Sequence, residues 1–176
     1  LVESNNVTQV YTRPKALTIG NVNYPSNIFS MWTSSELEAI GIYEVVIDNT
    51  NYKDKKYYTN TDQSFAFGSG KVTATYGTAT ARALADLKTN HCAVIDNQAY
   101  ELLQPNDWMV VKATETGGSV ASDWTTYRSA VRTAADSMKT KINAVADVDA
   151  LAALYVYNDA TPPVRPLGEF PDVPSS

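Results

Sequence analysis

The chain has 176 residues, of which 44% are apolar and 19% are charged, and its formal net charge is −5. This composition supports one compact domain or two small ones and argues against wholesale disorder. The acidic balance also argues against a nucleic-acid partner, because phosphate binding needs clustered lysine and arginine. No apolar run approaches the ~20 residues that span a bilayer, so we expect no membrane partner.

Metal and cofactor chemistry has little support in the residue types. Cys92 is the only cysteine, which excludes an intrachain disulfide and a thiolate cluster, and the adjacent His91 is the only histidine. Neighbours on a helix point about 100° apart, so these two side chains would not converge on a metal. We interpret them as a helix-face histidine and a small buried thiol, and predict no metal, no cofactor and no catalytic residues.

The N-terminal part, residues 1–78, is predicted to be β-rich with one short helix. Thr33-Ser-Ser-Glu36 has the pattern of a capping box, and Gly41 stands where a helix end often needs a left-handed residue. Strand candidates, separated by turn-forming residues, are 42–47, 56–59, 64–67 and 71–76. These short strands favour an antiparallel meander whose tyrosine and phenylalanine side chains cover one face or stack across strands.

Residues 79–160 are predicted to form a helical hairpin followed by a short third helix. Helical spacing covers 79–104, where Pro105-Asn106 ends it, and we expect an extended corner at 107–111 and a break at Gly117-Gly118. Ser122 is a candidate N-cap for a second helix over 123–146, and Asp147 for the third helix over 148–155. Residues 161–176 are predicted to be an extended, proline-rich tail that only docking can fix. The fold class is therefore α+β.

The second helix has the most regular apolar periodicity of the chain. Its predicted seam consists of Trp124, Tyr127, Val131, Ala134, Met138, Ile142 and Val145. A lone helix of this kind is marginal, so the seam needs a partner. That partner is either the first helix of the same chain, which we favour because consecutive elements usually pack together, or the same helix of a neighbouring subunit.

Seven residues are candidates for protein–protein contact. Arg128 and Arg132 share one helix face beside the seam, where guanidinium groups either clamp carboxylates and carbonyls of a neighbour or remain solvated. Tryptophan side chains are either core or binding hot spots. The candidate interaction residues are Trp108, Trp124, Tyr127, Arg128, Val131, Arg132 and Met138.

Three segments carry a resemblance to bacteriophage tail and tail-fibre-associated proteins. Trp124-x-x-Tyr127-Arg128-x-x-Val131-Arg132, preceded by Asp107-Trp108, resembles the C-terminal helical region of that family. The block 24–47, with Trp32 and Ile40-Gly41, resembles its N-terminal part, and 165–171 resembles the tail of some members. The chain departs from the family where Leu-Arg-Asp-Ile is usual, since Val131-Arg132 is followed by Thr-Ala-Ala.

This resemblance implies a non-enzymatic structural protein of the virion tail, made in the host cytoplasm and bound to the tail tip, baseplate or fibre by protein–protein contacts. A homo-oligomer is a further option. One alternative is a tail-fibre assembly chaperone that is not retained in the virion. The other is a small receptor- or carbohydrate-binding module in the β-rich part, which solvent-facing aromatic side chains would favour. Acidic pairs lack the surrounding pattern of a hydrolase, so we predict no enzyme.

Overall fold

A computed structural model describes residues 1–174 of the chain. It divides into two compact units, the first comprising Leu1–Thr80 and the second beginning at Ala81. Strands and short helices make up the first unit and long helices the second, so the predicted α+β class is confirmed. No helix within residues 1–174 combines the length and apolarity needed to cross a membrane.

The first unit contains nearly all of the strands. Its elements are β1 (Val2–Glu3), β2 (Asn6–Val7), β3 (Leu17–Ile19), β4 (Val22–Tyr24), α1 (Ile28–Met31), α2 (Ser34–Ala39), β5 (Val45–Asp48), β6 (Tyr58–Thr59), β7 (Gln63–Gly68) and β8 (Lys71–Tyr76), and β9 (Thr80–Ala81) follows at the boundary. β1 pairs with β2, β3 with β4, and β6 with β9, while β5, β8 and β7 form a three-stranded sheet in that order.

The three-stranded sheet departs from the predicted antiparallel meander. β7 and β8 form the expected hairpin, with Ser69 and Gly70 both at positive φ in its turn, but β5 runs parallel to β8, opposing Val45 to Val72. β8 is the central strand, so its backbone is paired along both edges. Its Val72 and Ala74 side chains are 2% and 0% exposed, which is consistent with the most buried strand lying at the centre. Pairing between distant strands is not encoded in local periodicity, which explains the error.

Aromatic side chains of β7 lie on the core side of this sheet. Phe65 and Phe67 are half-buried and oppose Ala74 and Val72, whereas their neighbour Ser64 is exposed. Because successive strand residues point to opposite faces, both phenylalanines share the face of the buried β8 residues. Aromatic rings on the core side of the sheet do not favour a surface that stacks on sugar rings, which needs them on the solvent side.

The short helix α2 begins as the sequence predicts. Thr33 Oγ1 accepts a hydrogen bond from the Glu36 amide, and the Glu36 carboxylate accepts one from the Thr33 amide at 2.7 Å, which completes the capping box. Gly41 has φ +81°, and a Cβ at this position would lie 2.6 Å from the Val2 carbonyl oxygen. The predicted left-handed glycine is therefore confirmed, and close backbone approach adds a second reason for it. The local core is centred on Leu17, Ile28 and Ile42.

Four helices make up most of the second unit. They are α3 (Leu84–Leu103), α4 (Asp107–Thr116), α5 (Ser122–Ala144) and α6 (Val148–Ala153), and a 3₁₀ turn (Gln104–Asn106) joins the first two. The extended corner expected at 107–111 is wrong, because this segment is the first half of α4. Pro105 lies in the first turn of the 3₁₀ segment, where its missing N–H costs nothing, so the chain continues as helix. Gly117 ends α4 in the left-handed conformation.

α3 and α5 form an antiparallel hairpin, as favoured from the sequence. Lys88 at the start of α3 donates to the Asn143 carbonyl at the end of α5, and Asp96 pairs with Lys139 at 2.8 Å. The buried residues of the interface are Leu87, His91, Ile95 and Ala99 of α3 and Tyr127, Arg128, Val131, Ala135, Met138 and Ile142 of α5. Ala135 rather than Ala134 is central, and the predicted end members Trp124 and Val145 are half-buried. The seam is filled within one chain.

The C-terminal segment is fixed on its own unit. Asp147 caps α6 as predicted, its carboxylate accepting from the Ala150 amide at 2.7 Å. Beyond α6, Leu167 is 1% exposed and its amide donates to the Leu154 carbonyl. Lys141 Nζ donates to the carbonyl oxygens of Pro166 and Leu167 at 2.8 and 3.1 Å. Within residues 161–174 the tail is therefore docked by apolar burial and by an ammonium that satisfies two carbonyls, and residues 175 and 176 of the predicted tail lie outside the described part of the chain.

Candidate interaction site

Arg128 connects the two arms of the hairpin. One guanidinium nitrogen donates to the Leu103 carbonyl at the end of α3 at 3.0 Å, and the other donates to Asp107 Oδ1 at 2.6 Å. The Arg128 side chain is 9% exposed and that of Asp107 is 55% exposed. A cation at a helix C-terminus is favoured by the helix dipole, and charge-assisted hydrogen bonds are stronger than neutral ones. Of the two readings of Arg128, the clamp applies, and its targets lie in the same chain.

Arg132 behaves differently from Arg128, although it is one helical turn away. It is exposed, and one of its guanidinium nitrogens donates to the Arg128 carbonyl at 3.3 Å. The predicted common face is therefore divided, since α5 turns Arg128 towards α3 and leaves Arg132 at the solvent edge. Arg132 is free to contact another molecule.

Trp124 and Tyr127 form an aromatic pair at the start of α5. Their rings meet edge to face, with centroids 5.8 Å apart and planes at 89°. Tyr127 is 4% exposed, and among the described residues its buried hydroxyl has no hydrogen-bond partner. Such an unsatisfied hydroxyl costs about 1–3 kcal/mol, which the ring's packing has to offset. The pair belongs to the hairpin core more than to its surface.

Val131 and Met138 are core residues. They are 0% and 2% exposed, and both face α3 between the buried tyrosine and Ile142. Side chains this buried cannot meet a second molecule without opening the hairpin. Their predicted role as interaction residues is therefore limited to contacts within the chain.

Trp108 is the apolar candidate that remains most available to a second protein. It is 57% exposed on α4, and its neighbour on the same face, Val111, is 55% exposed. α4 contains no buried residue, and its main contacts are with the 3₁₀ turn before it. Lys112 Nζ lies 5.8 Å from the Trp108 ring centroid, which leaves the indole partly covered by one flexible side chain. The exposed indole of Trp108 and the exposed Val111 side chain therefore form an apolar face without a protein partner among the described residues.

Several polar contacts of the hairpin could not be predicted from spacing. Asp107 was expected in an extended corner, so its pairing with an arginine 21 residues away was missed. Lys139 pairs with Asp96 and Asp136, and the hydrogen bond to Asp96, more than the one to Asp136, raises the pKa of Lys139. The sequence shows the opposite charges of Asp136 and Lys139 at helical spacing, but the pairing of Lys139 with Asp96 can be predicted only once α3 is known to pack against α5.

His91 lies on the face of α3 that is buried in the hairpin. It is 7% exposed, its Nδ1 lies within hydrogen-bond distance of the Tyr155 hydroxyl, and the two rings are 4.8 Å apart. Cys92 beside it is half-buried, with Sγ 4.0 Å from Asn143 Oδ1. The two adjacent side chains thus have different partners.

Residues 1–174 contain no group of three or more histidine, cysteine, aspartate or glutamate side chains placed to hold a metal ion. Comparison with known proteins finds no matching family model, curated protein or solved structure.

Proposed function

We propose that the chain is a non-enzymatic structural protein of a bacteriophage tail that binds a larger tail component through the second unit. The resemblance of the Asp107-Trp108 and Trp124–Arg132 segments to tail and tail-fibre-associated proteins supports this proposal. A rigid hairpin whose polar contacts are used internally is suited to presenting a surface and offers no evident reaction site. The partner would be a fibre, tip or baseplate protein, in the tail of the assembled virion.

The observation that carries the proposal is the apolar face of α4. Trp108 and Val111, which are 57% and 55% exposed, lie three residues apart and share one face of this short helix. Tryptophan is enriched at the centres of protein interfaces because its ring removes a large apolar area from water. With the α5 seam already filled, α4 is the part of the helical unit best suited to a second protein.

The receptor- or carbohydrate-binding alternative has less support. It needs aromatic rings on the solvent side of the sheet, yet Phe65 and Phe67 oppose the buried Ala74 and Val72. Tyr43 packs against Phe67 with centroids 4.6 Å apart, which further occupies that ring. An assembly chaperone would use the same exposed helix. The two hypotheses therefore differ only in whether the protein is retained in the finished virion.

Quantitative mass spectrometry of purified phage particles and of the whole lysate tests the proposal. A fixed copy number per particle, in a multiple of three or six, is the expected result for a tail subunit with the tail's symmetry. Abundance in the lysate without retention in particles would overturn the virion subunit and leave the assembly chaperone. Absence of any association with tail proteins in either fraction would overturn both.

The role of α4 is tested separately by Trp108→Ala. Truncation of an interface tryptophan commonly costs 2 kcal/mol or more, so we expect incorporation or partner binding to weaken roughly 30-fold. Stability should change by less than about 0.5 kcal/mol, because the side chain is largely solvated. Val156→Ser, a change at a residue 65% exposed beyond α6, is the matched control. Equal binding by both variants would remove α4 from the interface.

A further inference from the structure

The first unit contains a pocket that the proposed function does not use. Its volume is about 420 Å³, and it is bordered by β2, α1, α2, β5 and β8, by Leu1 and by the segments that follow β2 and α2. Pockets that hold small ligands have volumes of about 300–1,000 Å³. At ~30 Å³ for each water of the liquid, this pocket corresponds to about fourteen waters. It is large enough for an aromatic ring with a short chain.

The lining of the pocket is mainly apolar. Val10, Phe29, Leu37 and Ile42 contribute aliphatic and aromatic surface from four different segments. Ile42 is 7% exposed and belongs to the local core, so the floor is fixed by packing. A preformed apolar pocket binds an apolar body without first having to order itself.

Two carboxylates give the pocket a charge preference. Glu38 and Glu44 both line it, and within residues 1–174 neither carboxylate has a hydrogen bond or an ion pair with the protein. The lining in this part of the chain includes no lysine, arginine or histidine. The ammonium of Leu1, a residue that also lines the pocket, donates to the Gln9 carbonyl at 2.7 Å, and mainly desolvation lowers its pKa. Neither glutamate is therefore neutralised by a side chain.

We propose that this pocket binds a primary ammonium carried on an apolar body, with the ammonium at Glu38 and Glu44 and the body against Phe29, Leu37 and Ile42. Carboxylates favour a cation over a neutral or anionic head group, and the apolar lining excludes a small hydrophilic amine by leaving its surface unpartnered. The ligand is either a free amphipathic amine or the lysine of an apolar peptide segment. This inference concerns the first unit and does not depend on the phage-tail proposal.

The first experiment uses 4-phenylbutylamine as the probe and follows the backbone amides of the intact protein by NMR. We expect saturable shifts confined to residues bordering the pocket, with a Kd on the order of 1 mM for a ligand of this size. The alcohol 4-phenylbutan-1-ol, which has the same shape without charge, should bind about tenfold more weakly. Raising the salt concentration should reduce this preference, because exposed charges are screened.

Two sets of variants locate the site. The double change Glu38→Gln and Glu44→Gln should weaken amine binding about tenfold while leaving alcohol binding unchanged. Glu115→Gln, at an exposed position in the second unit, is the charge-matched control. Val10→Trp, at a rim residue that is 42% exposed, should fill the pocket and block both ligands. A far-UV circular dichroism spectrum of each variant verifies that it remains folded.

A second arm separates the two sources of the ammonium. A short acetylated peptide with one lysine between two leucines should displace the probe if the natural ligand is a polypeptide, and its tighter binding would support that source. Failure of the peptide to displace 4-phenylbutylamine would support a free amine. Equal affinity for the amine and the alcohol, shifts outside the pocket, or amine binding that survives the double glutamine change would overturn the proposal.

Discussion

Replacement of Arg128 by methionine should destabilise the second unit by about 2 kcal/mol. Methionine keeps the apolar stem but removes both hydrogen bonds, to the Leu103 carbonyl and to Asp107. A hydrogen bond from a charged donor contributes about 1.5–3 kcal/mol, and the bond to the half-exposed Asp107 is discounted to about 0.5–1 kcal/mol by solvent screening. Methionine also avoids the desolvation cost of the buried guanidinium, which offsets part of the lost hydrogen-bond energy. The net loss of stability is therefore about 2 kcal/mol.

The chain supplies its own matched control in Arg132→Met. Arg132 is exposed and makes a single long bond to the Arg128 carbonyl, so its replacement should change stability by less than about 0.5 kcal/mol. Arg128→Lys keeps the charge but loses the two-pronged geometry, and should cost about 1 kcal/mol. The series thus separates the geometry of the clamp from the presence of a positive charge.

Urea denaturation followed by circular dichroism at 222 nm measures these changes, since that signal comes mainly from the long helices. We expect a lower midpoint with an unchanged slope, and a melting temperature lower by roughly 8–16 °C for a unit of this size. An Arg128→Met variant within 0.5 kcal/mol of the parent, or one no different from Arg132→Met, would refute the clamp. A cycle with Asp107→Asn should give a coupling energy of about 0.5–1 kcal/mol.

Three further outcomes follow from burial and capping. Val131→Ala should cost about 1–2.5 kcal/mol by calorimetry, because it leaves a cavity in the hairpin, whereas Val94→Ala, at a residue 51% exposed on α3, should cost little, and equal losses would contradict the assigned seam. Leu167→Ala should cost about 2–4 kcal/mol and make the C-terminal segment sensitive to limited proteolysis; full protection would show that the segment is held elsewhere. The backbone and side-chain hydrogen bonds from Thr33 lower the pKa of Glu36, so their contribution is present above the usual value of 4.5 and is lost as pH falls through the lowered value. Thr33→Ala removes the hydroxyl donor but keeps the backbone donor, so it should raise that pKa only part of the way towards 4.5 in a carbon-13 NMR titration, and no change would exclude the hydroxyl as a cause.

Locally encoded elements were predictable from the sequence. The capping box at Thr33, the cap at Asp147 and the residues of β8 were all placed correctly, because each depends on residues within one turn or one strand. The hairpin of α3 with α5 followed from adjacency and from the period of the seam. In each case the determining interactions lie close together in the chain.

Two errors have different origins, one in local turn chemistry and one in the pairing of distant strands. α4 was predicted as an extended corner because Pro105-Asn106 has the composition of a helix stop, yet proline is tolerated in the first turn of the next helical segment. The parallel pairing of β5 with β8 depends on which strand becomes buried at the centre of the sheet, and Val72 and Ala74 reveal that only after folding. The strand pairing, unlike the placement of Pro105, is not present in a local pattern.

The candidate interaction residues were chosen as one set, but physical chemistry divides them. Tyr127, Arg128, Val131 and Met138 are each less than 10% exposed, so a second protein could reach them only by unfolding the hairpin. Burial within the hairpin stabilises these side chains, and the Leu103 carbonyl at the end of α3 accepts a hydrogen bond from Arg128. Trp108 has no such compensation, because more than half of its surface is in water. A tail partner that buries this indole would recover hydrophobic free energy that the isolated chain leaves unused, and it would do so without disturbing the hairpin.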